Sequence, residues 1–188
     1  MQAARKAWVE AQSEMDLEKL VFLDETRAST SMTRRYGRVP KGQRCIGSAP
    51  HGHWKTTTFV GGLRHNRVIA PMVVGEPMDG EMFLAWVQQF LCPTIQPSYI
   101  VILDNLSSHK VAGVRQAIAA ASATLLYLPP YSPDLNPIEK LFSKLKALLR
   151  RAAKRSVQEV WAEIGALLDR TSPCECANYF ASSGYICK

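Results

Sequence analysis

The segment IVILD, from Ile100 to Asp104, places four consecutive apolar residues directly before an aspartate. A continuous apolar run of this length is typical of a strand that is buried on both faces of a parallel sheet. A second run of the same kind, Leu20 to Leu23, also ends in an aspartate, Asp24. If the two strands are parallel neighbours, both carboxylates lie at one edge of the sheet, where open α/β sheets bind their ligands. Each aspartate alone is equally compatible with a turn or a helix cap.

The remaining elements are predicted from hydrophobic periodicity. Further strands are predicted at residues 56–60, 68–74 and 124–128. Helices are predicted at residues 1–18, 80–92, 111–122, 138–155 and 156–170. Three strands followed by alternating helices and strands predict an α/β fold, with a mixed five-stranded sheet flanked by helices and a C-terminal helical appendage.

The composition excludes several classes of protein. The chain has 188 residues, of which 47% are hydrophobic, and this is ordinary for one globular domain. It has no apolar run near the roughly 18 residues that a membrane span needs, and no signal-peptide stretch at its start. Its five cysteines lack paired metal spacing, which disfavours a disulfide framework or a zinc ribbon. We therefore expect a cytoplasmic protein without a membrane partner.

Positive charge is concentrated in two stretches of the chain, whose net charge is +7. Nine basic residues lie between Thr26 and Gly75 and seven between Lys140 and Arg155, with no acidic residue in either stretch. Such clustering predicts a polyanionic partner, although a basic surface that is merely solvated is the alternative. The candidate DNA contacts are Arg34, Arg35, Arg38, Lys41, Arg44, Lys140, Lys144, Lys146, Arg150 and Arg151.

A third carboxylate, Glu139, opens the second basic stretch. It follows Asn136 by three residues and Pro137 by two, and the same spacing forms a capping box, so spacing alone does not decide between a cap and a ligand. Acidic residues in a basic groove would repel phosphate unless divalent cations intervene, and oxygen ligands suit Mg²⁺. Two such ions support in-line displacement at phosphorus. The three carboxylates thus predict a site that cuts phosphodiesters.

Several motifs together resemble the signature of DDE transposases, and more narrowly that of the bacterial insertion-sequence branch of the mariner superfamily. The motifs are LDET at residues 23–26, ILDN at 102–105 with SHK at 108–110, and LPPYSPDLNPIE at 128–139. Thirty-four residues lie between Asp104 and Glu139, which is the separation typical of that group. The resemblance extends from about residue 19 to the end of the sequence.

The resemblance implies a ribonuclease-H-like DDE catalytic domain at residues 19–155, with a linker helix at 1–18 and a helical appendage at 156–188. It implies that Asp24, Asp104 and Glu139 bind two Mg²⁺ ions, for which Mn²⁺ can substitute. The implied reaction cuts one strand at each transposon end, and the freed 3′ hydroxyl then attacks target DNA. The expected partner is double-stranded DNA, as transposon ends and as target, near the bacterial nucleoid.

Relatives of this kind carry helix-turn-helix domains ahead of the catalytic domain, whereas only about 20 residues precede the first strand here. We therefore expect the second half of a split or frameshifted transposase, or a truncated copy, with an upstream helix-turn-helix half as partner and a homodimer as one candidate assembly. The alternative is a catalytically idle DNA-binding remnant. A cellular ribonuclease-H-like nuclease would lack the proline-rich block. We leave Asn105, His109, His51 and His53 out of the catalytic set, as local hydrogen-bonding groups or DNA contacts.

Overall fold

A computed structural model of the protein describes residues 2–34, 36–48, 50–105 and 113–186. Within this part the strands are β1 (Leu20–Ser29), β2 (Thr56–Leu63), β3 (Val68–Val74), β4 (Ile100–Leu103) and β5 (Thr124–Tyr127). The helices are α1 (Gln2–Gln12), α2 (Gly80–Trp86), α3 (Val114–Ala120), α4 (Ile138–Ala152), α5 (Val157–Asp169) and α6 (Pro173–Ser182). A π-helical turn continues α2 over Val87–Leu91, and 3₁₀ turns occupy Leu17–Lys19 and Pro133–Leu135.

The described strands form one five-stranded sheet in the order β3-β2-β1-β4-β5. The β1 strand pairs with β2 in antiparallel orientation and with β4 in parallel orientation, and β4 pairs with β5 in parallel. The predicted mixed sheet is therefore confirmed, and β1 lies at its centre. The first apolar run, in β1, therefore has a strand on each side, β2 and β4.

Side chains of the two central strands alternate between two cores, one on each face of the sheet. Phe22 and Ile102 lie in the core beneath α4, whereas Val21 and Leu103 lie in the core beneath α2. The face that α4 buries was predicted from its apolar spacing and consists of Ile138, Leu141, Phe142, Leu145 and Leu149. Packing of this face against the sheet fixes the position of α4 and therefore of its first turn, which contains Glu139.

Some boundaries differ from the prediction for physical reasons. The first strand continues past its apolar run to Ser29, because its polar half pairs with β2. The first helix ends at Gln12 instead of residue 18, and Asp16 caps the 3₁₀ turn that follows. The C-terminal appendage holds a second helix, α6, whose start is stabilised by a capping box of Ser172 and Glu175. No helix in the described ranges is long and apolar enough to cross a membrane.

The first helix packs against the last residues of the chain through a set of contacts that we call the terminal brace. The indole Nε1 of Trp8 donates to the hydroxyl of Tyr185 at 2.9 Å, and this hydroxyl donates to the carbonyl oxygen of Leu135 at 3.0 Å. The amide Nε2 of Gln12 donates to the carbonyl oxygen of Ser183 at 2.9 Å. The terminal brace therefore connects both ends of the described chain to the turn that precedes α4.

Candidate active site

A cavity of about 310 Å³ lies beside the end of β4 and the start of α4. Its wall contains residues from β1, from the segment after β4, from the proline-rich connection and from α4. These residues are Asp24, Asp104, Asn105, Leu128, Pro129, Pro130, Tyr131, Ser132, Pro133, Asn136 and Glu139. The structure thus brings the three carboxylates to one cavity, while their role as metal ligands stays a prediction.

The register of the two central strands explains why the aspartates are neighbours. The parallel pairing places Phe22 beside Ile102, and two residues farther along each strand come Asp24 and Asp104. Residues two apart in a strand point to the same face, so Asp24 shares with Phe22 the face that α4 covers. The β4 strand ends at Leu103, so Asp104 directly follows its carboxyl end, as predicted. The expectation that Asp24 also ends its strand was wrong, because β1 continues to Ser29 by pairing with β2.

Glu139 reaches the cavity from the first turn of α4. Its neighbour Ile138 is completely buried and anchors this turn against the sheet, while Glu139 itself is half-buried. The proline-rich connection between β5 and α4 forms the rest of the wall, and Tyr131 within it is 90% exposed with a φ of 55°. A bulky residue in this left-handed region is strained, and such strain is concentrated at functional sites.

The contact between Asn136 and Asp24 replaces the helix cap that the sequence allowed. The start of α4 has Pro137 at its cap position and no side-chain cap, so the capping-box interpretation of this segment was wrong for Asn136. The amide Nδ2 of Asn136 instead donates to Oδ2 of Asp24 at 3.0 Å. Because 112 positions separate the two residues in sequence, no local pattern could have predicted this contact.

Asp24 is the most confined of the three carboxylates, with 7% of its surface exposed. Its Oδ1 accepts a hydrogen bond from the backbone N–H of Glu25 at 2.8 Å. Burial and then the negative charges of Asp104, Glu139 and Glu25 raise the pKa of Asp24 well above its ordinary value. A carboxylate that is buried among like charges favours either a proton or a nearby cation.

The chemistry of this donor set fits a hard divalent cation, because carboxylate oxygens are the ligands that Mg²⁺ prefers. In the described ranges, no three His, Cys, Asp or Glu side chains already converge tightly enough to hold an ion together. The carboxylates share one cavity without forming a closed cage. An ion would therefore need to draw the side chains together or to keep part of its water shell.

The first basic stretch includes the long connection between β1 and β2, which is closed at its base by a hydrogen bond from Thr30 N to Lys55 O at 3.0 Å. The predicted DNA contacts in it are exposed; they are Arg34, Arg38, Lys41 and Arg44. Arg35, Ser108, His109 and Lys110 lie outside the described residues. The guanidinium of Arg155 holds the base of the connection by donating to the carbonyl oxygens of Thr30 and Met32.

A shallow groove beside this connection contains His51, His53, Trp54 and Arg155. Both histidines are exposed, and Trp54 is 62% exposed. None of the described residues that line this groove also lines the carboxylate cavity. The two histidines therefore stay outside the candidate catalytic set, whereas Asn105 lines the carboxylate cavity directly.

The second basic stretch runs along α4, on both sides of its buried face. Lys140 and Arg151 are exposed, and Lys146 and Arg150 are half-buried. Lys144 forms an ion pair with Glu175 of α6, and this ion pair lowers the pKa of Glu175. Lys144 therefore helps to attach the C-terminal appendage, and its charge is already compensated within the chain.

Comparison with known proteins shows the fold. The structure of the Mos1 mariner paired-end complex with Mn is similar over 97% of this chain, with a TM-score of 0.79 and 19% identity. The Mos1 strand transfer complex matches equally well, with a TM-score of 0.79, 19% identity, and coverage of 97% of this chain and 57% of that chain. The catalytic domain of Mos1 mariner transposase matches over 100% of this chain and 93% of its own length, with a TM-score of 0.68 and 16% identity.

This likeness confirms the expected ribonuclease-H-like fold. The chain spans 58% of the Mos1 chain in the complex with Mn. None of the functionally curated proteins matches the sequence. The profile of the DDE superfamily endonucleases matches residues 19–160, which include Asp24, Asp104 and Glu139. The chain belongs to the family of DDE superfamily endonucleases.

Proposed function

We propose that this chain is the catalytic domain of an insertion-sequence transposase, which cuts DNA at transposon ends and joins the freed 3′ hydroxyl to target DNA. The observation that carries the proposal is the meeting of Asp24, Asp104 and Glu139, from three separate elements, at one cavity. Membership of the DDE endonuclease family supports it, as does the similarity of the fold to Mos1 complexes with Mg and with Mn.

Two Mg²⁺ ions, with Mn²⁺ as a substitute, are the proposed cofactors, and Asp24, Asp104 and Glu139 would hold them. A pair of such ions activates the attacking oxygen and stabilises the leaving oxygen during in-line displacement at phosphorus. Asp24 lies within β1 and Asp104 directly follows β4, the parallel neighbour of β1. Glu139 adds the third carboxylate from the first turn of α4. Its side chain does not cap this helix, which has no side-chain cap.

The walls of the cavity restrict how a DNA strand can enter. Pro129, Pro130 and Pro133 stiffen the connection on one side, because each proline fixes its own backbone φ. Exposed Tyr131 offers an aromatic face beside the carboxylates, on which a base or a deoxyribose can stack. These residues would orient the strand so that one phosphate lies among the carboxylates.

Double-stranded DNA is the proposed partner, both as transposon end and as target. Its phosphates would lie along the exposed arginines and lysines between β1 and β2 and along Lys140, Lys146, Arg150 and Arg151 of α4. Phosphate contacts position a protein on DNA without reading its sequence. We therefore propose that an upstream helix-turn-helix half recognises the ends, and that a homodimer brings two ends together.

Incubation of the purified chain with supercoiled plasmid and Mg²⁺ or Mn²⁺ tests cleavage, which appears as relaxed circles. Joining is tested with a short duplex that already carries a free 3′ hydroxyl and is inserted into the plasmid. We expect both reactions to require the metal and to fall at least about 100-fold in Glu139→Gln and Asp104→Asn, the order that loss of one electrostatic group in an active site produces.

Glu81→Gln is the matched control, because Glu81 also lies in the first turn of a helix, α2, but outside the cavity. It should cut and join like the wild type. If the wild-type chain neither cuts nor joins, the assay is repeated with the helix-turn-helix half fused upstream. Continued inactivity would overturn the proposed reaction and favour a DNA-binding remnant.

A further inference from the structure

The amide of Asn136 is buried in the wall of the carboxylate cavity, with 2% of the residue exposed. Its backbone is fixed on both sides, because Asn136 N donates to Pro133 O and Asn136 O accepts from Glu139 N. The side chain therefore has one anchored position between β1 and the start of α4. In that position it contacts one carboxylate, Asp24, and lies in the turn that leads to another, Glu139.

The orientation of the amide follows from its contact with Asp24. The amide Nδ2 lies 3.0 Å from Oδ2 of Asp24 and donates to it, which is the orientation that an ionised carboxylate requires, since its oxygens only accept hydrogen bonds. The acceptor side, Oδ1, then faces away from Asp24. Within the described part of the chain, this buried oxygen has no hydrogen-bond partner.

Buried polar atoms are almost always paired, so an unpaired one requires an explanation. The described ranges contain other buried atoms of this kind, on Arg64, His65, Asn66, Tyr179 and Ser183, but none of those residues lines the carboxylate cavity. Asn136 alone among them combines an unpaired oxygen with a position beside three carboxylates. Because Asn136 lines the carboxylate cavity, a donor bound in this cavity is the group that can supply the missing hydrogen bond after a small adjustment of the amide.

We propose that Asn136 is a positioning residue of the cation site, whose Nδ2 fixes Asp24 and whose Oδ1 accepts a hydrogen bond from water on the bound cation. This inference rests on the proposed function, since it requires a divalent ion at the carboxylates. Mg²⁺ keeps several waters when proteins bind it, and each such water is a hydrogen-bond donor. Groups that orient ligands or metal-bound water typically change metal affinity by about 10- to 100-fold when they are removed.

Titration of the purified chain with Mn²⁺, with free Mn²⁺ followed by electron paramagnetic resonance, tests the proposal without DNA or turnover. Asn136→Leu has a similar volume but lacks both polar atoms, and we expect it to raise the Kd for Mn²⁺ by about 10- to 100-fold. Asn136→Thr keeps a hydroxyl that can donate to Asp24, so it provides a second test should Asn136→Leu fail to fold. It should still weaken Mn²⁺ binding by about tenfold, because the amide oxygen is lost.

Gln12→Leu is the matched control, since Gln12 is also a buried amide that donates a hydrogen bond, to the carbonyl oxygen of Ser183, but lies in the terminal brace. Both Gln12→Leu and Asn136→Leu should lower the melting temperature in EDTA, because each removes a buried hydrogen bond, but the Kd of Gln12→Leu for Mn²⁺ should stay at the wild-type value. If Asn136→Leu also keeps the wild-type Kd, Asn136 is merely structural and the inference is overturned. If the wild-type chain binds no Mn²⁺, the proposed metal site itself fails.

Discussion

Replacement of Asp24 with asparagine should make the metal-free protein more stable, although it removes a proposed ligand. Asp24 is nearly buried, and the charges of Asp104 and Glu139 act on it across one cavity. A cavity of about 310 Å³ is roughly 8 Å across, and two unit charges at that separation repel by about 2 kcal/mol at an effective dielectric constant near 20.

The hydrogen bonds around the variant residue can be retained. An asparagine oxygen at position 24 still accepts from Glu25 N, and rotation of the Asn136 amide by half a turn presents its oxygen to the new amide N–H. These bonds are weaker than those to a carboxylate, which offsets part of the relieved repulsion. We therefore expect a net gain of about 1–2 kcal/mol in the free energy of unfolding, or roughly 2–8 °C in melting temperature.

Divalent cations should reverse the order of stability, so that the wild type becomes more stable than Asp24→Asn. At a Mn²⁺ concentration about 100 times its Kd, the wild type gains about 2.7 kcal/mol, whereas Asp24→Asn gains much less because a ligand is missing. The assay is thermal unfolding of wild type, Asp24→Asn and the control Glu81→Gln, each in EDTA and in Mn²⁺. The reasoning is refuted if Asp24→Asn melts below the wild type in EDTA, or if Mn²⁺ stabilises both to the same degree.

The pH dependence in EDTA has a definite sign. Because the pKa of Asp24 is raised in the folded state, its protonated form supports the fold in acid, and this support is lost as pH rises through the folded-state pKa. The advantage of Asp24→Asn over the wild type should therefore be smallest in acid and largest at alkaline pH. An advantage that shrinks as pH rises would contradict the placement of this carboxylate among like charges.

Three further predictions concern the framework of the site. Phe142→Ala should lower the free energy of unfolding by about 3–5 kcal/mol, because the ring is 1% exposed in the core beneath α4, and a loss below about 1 kcal/mol in urea denaturation would contradict this placement. Burial raises the pKa of the Cys176 thiol to about 11, so iodoacetamide at pH 8 should alkylate exposed Cys174 and spare Cys176 until the protein unfolds; peptide mass mapping would disprove this if both react together. Lys144→Met should cost about 0.5–1 kcal/mol at pH 7, because the ion pair lowers the pKa of Glu175, and the difference should vanish as pH falls through that lowered pKa; a difference in melting temperature that is constant from pH 3 to 7 would count against it.

The parts of the fold that could be predicted are those that are encoded locally. The apolar runs of β1 and β4 predict two buried strands, and Asp104 follows β4 as expected, whereas Asp24 lies within β1. The spacing of apolar residues in α4 predicts its buried face. The polar half of β1, up to Ser29, is a strand only because β2 pairs with it, and this information lies elsewhere in the chain.

The site was predictable to a similar extent. Asp24, Asp104 and Glu139 were singled out by strand ends, spacing and resemblance, and the structure places all three at one cavity. The local spacing of Asn136 is typical of a helix cap, and it gives no indication of the long-range contact with Asp24. The ion pair of Lys144 with Glu175 was not predicted, because sequence does not show that α6 packs against α4, and the role of Lys144 as a DNA contact stays a prediction.

The terminal brace has a consequence for the order in which the protein is made. Trp8 and Leu135 leave the ribosome before Tyr185, whose hydroxyl connects them. Synthesis proceeds from the N-terminus, so all five strands of the sheet emerge while the turn before α4 still lacks this support. The wall of the carboxylate cavity therefore reaches its final form only once the last helix and the residues after it have been released, and a nascent chain that already carries Asp24, Asp104 and Glu139 does not yet hold a finished site.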